Sequence, residues 1–200
     1  NDGQVAVLAL IDPEIDVDLN IAPMLISKGA DKVFWASKEN LAEHDLGSYV
    51  QVVSEAIEKV EPKAVFLTHN NFGADLAPRV AFRSRSAMVT STQAVSFEDK
   101  GEMLLTRVCY GGRAEQVIKP ATPTVVVTLR EKVFEPLEDN EERIGEVSEL
   151  GVQTLSPRVE LLEQNREEQK GVRLENAHVV VSGGRGGGGG QCLHGRNGRL

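Results

Sequence analysis

Short, uniformly apolar runs alternate with amphipathic stretches over the first eighty residues. Val5-Ala6-Val7-Leu8-Ala9-Leu10-Ile11 is apolar for the length of one strand, as a parallel strand covered on both faces requires, and Asp12-Pro13 ends it. The stretch around Ile21-Ala22-Pro23-Met24-Leu25-Ile26 reads as a helix closing at a C-cap glycine, Gly29. Lys32-Val33-Phe34-Trp35-Ala36 is a second strand. From Ser48 to Val60 the apolar positions Val52, Val53, Ala56, Ile57 and Val60 share one helical face, and Pro62 stops the helix. Ala64-Val65-Phe66-Leu67 is a third strand. It leads through Thr68-His69-Asn70-Asn71 into a helix start at Gly73-Ala74-Asp75-Leu76-Ala77-Pro78, with the acidic residue and the proline near its front. Strand and helix alternating in this way predict a parallel sheet with crossover helices.

After about residue 87 the grammar changes. Ala87–Thr90, Ala94–Phe97, Met103–Val108, Glu115–Ile118 and Thr124–Leu129 are short strand candidates with little helix between them. Asp99-Lys100-Gly101 and Gly111-Gly112 supply turns. These strands are expected to complete the sheet and add an antiparallel region. Residues 131–150 are rich in Glu and read as a solvated excursion or linker, with Arg158–Leu162 as a return strand. The fold class is therefore α/β: a Rossmann-like, mostly parallel sheet with flanking helices and an antiparallel extension, followed by an incomplete second domain. The expected division is an α/β domain over 1–130, an acidic linker and return strand over 131–176, and the start of a further domain over 177–200.

That last piece carries the chemistry. Ala177-His178-Val179-Val180-Val181-Ser182 breaks into Gly183-Gly184-Arg185-Gly186, a buried-strand pattern whose carboxyl end opens into glycines. Glycine reaches positive φ and lets a ligand approach the backbone, and ligands of open α/β sheets sit at that end of the strands. Arg185 adds a fixed positive charge and a planar fork suited to phosphate or an aromatic ring. The segment formally fits G-x-G-x-x-G, but no helix follows and no acidic residue stands about 20 positions on, as a dinucleotide fingerprint needs. A flexible linker accounts for Gly187–Gly190 and, on chemistry alone, stands as the other reading of Gly183–Gly186.

The remaining candidates are weaker. Thr68, His69, Asn70 and Asn71 lie where a strand meets a helix; ligand contact is one reading, and helix capping by Asn71 the simpler one. His44 and His178 have no partner at metal-ligand spacing, so no metal is expected. Cys109 reads as a packed small residue, and Ser84 and Ser86 lack a histidine or acid partner. No catalytic constellation emerges.

Charge and cysteine content narrow the partners. The net charge of -8 argues against nucleic acid and against an anionic membrane surface. Two cysteines, Cys109 and Cys192, are too few for a disulfide framework and suggest a reducing compartment. No signal peptide and no run of about 20 apolar residues is visible, so membrane insertion is not expected.

The ordered set of motifs resembles the alpha subunit of electron transfer flavoproteins. Thr68 to Ala81 is similar to that family's "T…GrDLAPRlA" signature, Leu105 to Ala114 to its "RpvYgGkA" hairpin, and Pro123 to Arg130 to its "PaVvTvRp" strand. Val179 to Gly186 is similar to "vVvsGGRG". The resemblance implies an electron carrier rather than an enzyme, paired as a heterodimer with a beta subunit and accepting electrons from acyl-CoA dehydrogenase-type enzymes, as in fatty acid β-oxidation. It implies FAD held mainly by the carboxyl-terminal domain, with Arg185 as a cofactor contact and Gly184 and Gly186 as close-approach neighbours. It places the protein in a bacterial cytoplasm or a mitochondrial matrix. After Gly186 the sequence departs from the family pattern and reads as a truncation or frame slip, so FAD binding by this chain alone is expected to be weak or absent. Two other readings stand beside it: a Rossmann-like module for AMP or ATP, and a purely structural heterodimerisation domain. The first lacks phosphate-cradling glycines after its first strand, where Asp12-Pro13-Glu14 stands instead.

Overall fold

The computed structural model describes residues 3–11, 21–37, 46–99, 101–152 and 179, and every element named below lies within them. In chain order these are β1 (Ala6–Ile11), α1 (Ile21–Ser27), β2 (Lys32–Ser37), α2 (Leu46–Val60), β3 (Ala64–Thr68) and α3 (Asn71–Arg83). Then follow β4 (Ala87–Phe97), β5 (Met103–Cys109), β6 (Ala114–Ile118), β7 (Val125–Leu129) and β8 (Glu146–Glu149).

The strands hydrogen-bond into two sheets. One is β1-β2-β8, parallel throughout. The other runs β3-β7-β4-β5-β6; its first three strands are parallel, and β5 and β6 add antiparallel pairs. This is the expected α/β class with an antiparallel extension, with the pairing divided between two ladders. Strand β7 enters the slot between β3 and β4, far from its sequence neighbours. Val125, Val126, Val127 and Thr128 are all buried, which suits a strand covered on both faces.

Each face of the sheets finds its own cover. Leu8 of β1 packs with Val65, Leu67, Met88 and Val126 against Val53 and Ile57 of α2 and Leu76, Ala77, Val80 and Ala81 of α3. The other face of β1, Val7 and Ala9, packs with Val33 against Ala22 and Ile26 of α1. On the second sheet, the face opposite α3 gathers Val89, Val125 and Val127 under Leu105 of β5. Leu105 reaches that face because β4 bends. Ser91 has φ +54°, and the register slips between Val89 and Thr92 against β7 and between Thr92 and Ala94 against β5. A bulge of this kind curls a strand and lets the antiparallel extension fold over the sheet. Two strands expected at Ala87–Thr90 and Ala94–Phe97 are thus one bent strand.

Helix α1 ends as its glycine predicts. Gly29 N donates to Ile26 O (2.9 Å) and Ala30 N to Leu25 O (3.1 Å), with Gly29 at φ +113°: the two bonds of a Schellman cap. Helix α3 starts earlier than expected, at Asn71, which leaves Pro78 inside it. The missing i to i−4 bond falls at exposed residues, Pro78 and Ala74, where the freed carbonyl lies on the solvent side of the helix. The stretch 131–150, read as a linker, is exposed from Glu131 to Ile144 and then becomes β8, the third strand of the first sheet. Gly145 makes the approach possible, because a Cβ there would lie 2.8 Å from Ile26 Cγ1 and 3.1 Å from Asp31 O. The return strand expected at Arg158–Leu162 lies outside the described residues, as does nearly all of the 177–200 piece.

Candidate functional site

The residues singled out by sequence as cofactor contacts, Arg185, Gly184 and Gly186, lie outside the described residues, as do His44 and His178. Within the described structure, one group of polar side chains gathers at the carboxyl ends of β3 and β7 and beside the bulge of β4. In open α/β sheets this is the end at which ligands bind.

At β3 the strand runs straight into a helix. Asn70 is extended (φ −105°, ψ −176°), and its side chain accepts a hydrogen bond from Gly73 N at 2.8 Å. The N-cap is therefore Asn70, one residue before the Asn71 expected, because Asn71 already has helical geometry and only Asn70 is still extended. The turn is tight enough to demand glycine: a Cβ on Gly73 would fall 1.9 Å from the carbonyl oxygen of Thr68. Beside it, Phe72 packs edge-on against Tyr49 of α2, with ring centroids 4.9 Å apart. Desolvation raises the Tyr49 phenol above its ordinary pKa.

From β3 the polar line continues across β7 to β4. His69 N donates to Leu129 O (2.7 Å), and His69 Nδ1 is hydrogen-bonded to Thr128 Oγ1 (2.8 Å). The same hydroxyl accepts from Ser91 N at 2.9 Å. Thr128 is thus fully buried yet satisfied, and it takes up a backbone donor at the bulge. Arg107 of β5 closes the line, donating to Thr90 Oγ1 and Gln116 Oε1, each at 3.0 Å. Thr92 Oγ1, next to the bulge, is buried without a protein partner.

Chemically, this seam fastens rather than reacts. The Thr128 hydroxyl is inaccessible, so its contact with His69 does not make an exposed nucleophile and base. The family-like signature in Thr68–Ala81 resolves the same way. Gly73 permits the turn, Leu76, Ala77, Val80 and Ala81 form the buried face, and Asp75 pairs with Arg79 on the surface at 3.2 Å. In the hairpin, Tyr110, Gly111 and Gly112 take consecutive positive φ values, so the glycines shape the turn. Cys109 is half-buried, with Sγ 3.7 Å from Gln116 Oε1. Ser84 Oγ bonds Val80 O and Ser86 Oγ at the end of α3, which gives both serines a structural place. Among the described residues no three of His, Cys, Asp and Glu converge as a metal site requires.

The motifs at β3–α3, at the hairpin and at β7 are thus the framework of one particular α/β unit, and that framework has relatives. The family model for the electron transfer flavoprotein domain matches residues 1–155. This chain belongs to the electron transfer flavoprotein family.

Individual relatives agree. The chain is 30% identical over 167 residues to the electron transfer flavoprotein subunit alpha of Bacillus subtilis (strain 168), covering 84% of this chain and 51% of that protein. It is 31% identical over 168 residues to the subunit LctC of the lactate dehydrogenase (NAD(+),ferredoxin) of Acetobacterium woodii, covering 82% and 40%. A third relative, the protein FixB of Clostridium saccharobutylicum, is 28% identical over 165 residues, covering 81% and 49%. The chain spans about half the length of these curated relatives or less. No helix among the described residues is long and apolar enough to cross a membrane.

Sequence reasoning found the β3–α3 turn but not the seam beyond it. Thr128 sits in an apolar run, and nothing local marks it as the partner of a residue 59 positions away. Ser91 carries no turn glycine to announce its left-handed backbone.

Proposed function

We propose that this chain is the amino-terminal portion of an alpha-type electron transfer flavoprotein subunit, an electron carrier rather than an enzyme. Its described α/β unit serves as the docking and scaffolding part. The cofactor is FAD, and the residues of this chain assigned to it are Arg185, with its guanidinium, and Gly184 and Gly186, which keep the backbone clear of side chains. FAD supplies the redox chemistry; the chain's part is to bind and orient it. The observation that carries this reading is the apolar-to-glycine break in the sequence of Val179–Gly186, standing behind an α/β unit of the electron transfer flavoprotein family. An acidic excursion and return strand over 131–176, within which β8 joins the first sheet, and the beginning of the flavin domain over 177–200 complete the proposed division.

The partner in this reading is a beta-type subunit, and the donors are acyl-CoA dehydrogenase-type enzymes, with the bacterial cytoplasm or mitochondrial matrix as the compartment. The A. woodii relative is by its name a subunit of a lactate dehydrogenase (NAD(+),ferredoxin), so a 2-hydroxy acid dehydrogenase is the rival donor for this chain. Reduction of the assembled flavoprotein by a 2-hydroxy acid dehydrogenase, and not by an acyl-CoA dehydrogenase, would redirect the assignment.

Two measurements test the cofactor assignment. Titrating FAD into this 200-residue chain while following flavin fluorescence should show no tight binding, and stoichiometric binding below a micromolar would refute the expectation. In a full-length alpha subunit carrying this sequence, assembled with its beta subunit, Arg185→Ala should weaken FAD retention by about tenfold or more, as loss of a charge-assisted contact does. An unchanged FAD affinity would remove Arg185 from the site. The structural reading remains for the isolated chain, because Thr128, His69 and Arg107 at the carboxyl edge are engaged in contacts within the fold. In that case the chain should co-purify with a beta subunit while binding no nucleotide.

A further inference from the structure

We infer that residues 131–149 form a strap fastened mainly by ion pairs, which opens from β2 and α1 as a unit while the rest of the fold stays closed. Its fastenings are polar. Lys28 Nζ pairs with Asp139 Oδ1 at 2.9 Å and donates to Leu137 O at 3.2 Å. Asn140 N donates to Ser27 O at 3.1 Å. Arg143 spans the junction, its guanidinium 2.6 Å from Asp31 Oδ1 and its Nε 3.4 Å from Ala30 O. Lys32 and Glu146 pair at 3.0 Å where β8 begins to ladder onto β2.

Apolar burial contributes little. Val133, Phe134, Leu137, Ile144 and Val147 are all exposed, Ile144 at 93%. Behind them only Leu150 is buried, its N–H bonded to Trp35 O at 2.7 Å. The strap carries eight acidic residues against two basic ones, so the groups it does not pair repel one another and favour release. Strand β7, by contrast, is buried on both faces. A segment with few apolar contacts and exposed hydrogen bonds is what opens below the global unfolding free energy. The strap is the last element among the described residues, so its release leaves the ladders from β1 to β7 intact. It also bares the backbone edge of β2, a row of unpaired donors and acceptors.

Amide hydrogen–deuterium exchange on the full chain tests the inference, with β7 as the internal reference. The β2–β8 ladder amides should exchange at least tenfold faster than those of β7. Asp31→Asn and Arg143→Gln should each speed the β8 amides by a further fivefold or more and leave β7 unchanged. Combined, the two should add little beyond either alone, because they break one pair. Equal exchange in β8 and β7, or variants that accelerate both by the same factor, would show that the strap opens only with the whole fold. Fast β8 exchange that neither variant alters would show that ion pairs do not fasten it. Should Asp31→Asn prevent folding through its second bond, to Val5 N, Lys28→Gln touches only the Asp139 end and gives the same readout.

Discussion

Gly73 and Asp31 each decide a junction that their neighbours in sequence cannot. At Gly73 the strand-to-helix turn leaves no room for a side chain, and the atom in the way is backbone, so it cannot step aside. Gly73→Ala should destabilise the fold by on the order of 2–4 kcal/mol, a strain effect at the upper end for single substitutions, measured as a lowered urea midpoint at unchanged slope. Asn70→Ala, which removes only the cap of α3, should cost about 1 kcal/mol in the same assay. Asp31 accepts from Val5 N and pairs with Arg143, and these hold its carboxyl below the ordinary value of 3.8, the backbone bond first. A depressed carboxylate stabilises the fold above its unfolded pKa and loses that contribution as pH falls through the folded value. Stability should therefore fall between about pH 4 and the lower folded pKa in the native chain. Asp31→Asn should show a shallower fall over the same range in denaturant titrations run from pH 6 to pH 2.5.

Strand β4 shows how one element couples two sheet geometries. Its amino-terminal half extends the parallel sheet, and its second half begins an antiparallel meander. Ser91 at positive φ makes the bend, and Thr128 receives the N–H there. Thr128→Val keeps the volume and removes the hydroxyl, leaving the half-buried backbone donor of Ser91 unpaired. It should destabilise by about 1–3 kcal/mol, and the exchange of the Ser91 amide should rise relative to Val126. Equal exchange in the two proteins would mean that the hydroxyl does not hold the bulge. The Lys119 pair with Glu102 fastens the far end of β6 to the β4–β5 turn; its partner lowers the Glu102 carboxyl and raises the Lys119 ammonium. Both groups are exposed to solvent, so the pair serves register more than stability.

Among the described residues, the three apolar clusters lie between Val7 and Leu129, and the strap closes the first sheet by Leu150. A chain ending at residue 152 should accordingly keep the circular dichroism and a thermal midpoint within about 4 °C of the longer chain, the shift expected for roughly 1 kcal/mol in a domain of this size. A collapse of cooperative unfolding would show that later residues belong to this core. Scaffold and proposed flavin chemistry are thus separable along the chain, with the framework in the described unit and the assigned FAD contacts near position 185.

The apolar runs and helical faces alone determined most of the elements from β1 to β7, because a buried strand or an amphipathic helix writes its period into local sequence. Gly29 announced its cap for the same reason, since a left-handed helix end selects glycine wherever it occurs. Tertiary structure decided what no local pattern encodes. It placed β7 between β3 and β4, because a strand apolar on both faces fits any central slot. It folded β4 over at Ser91, where Thr128 waits at a distance. And it turned the end of an acidic, exposed stretch into β8, because Asp31, Lys28 and Lys32 supply the charges that those carboxylates and Arg143 require.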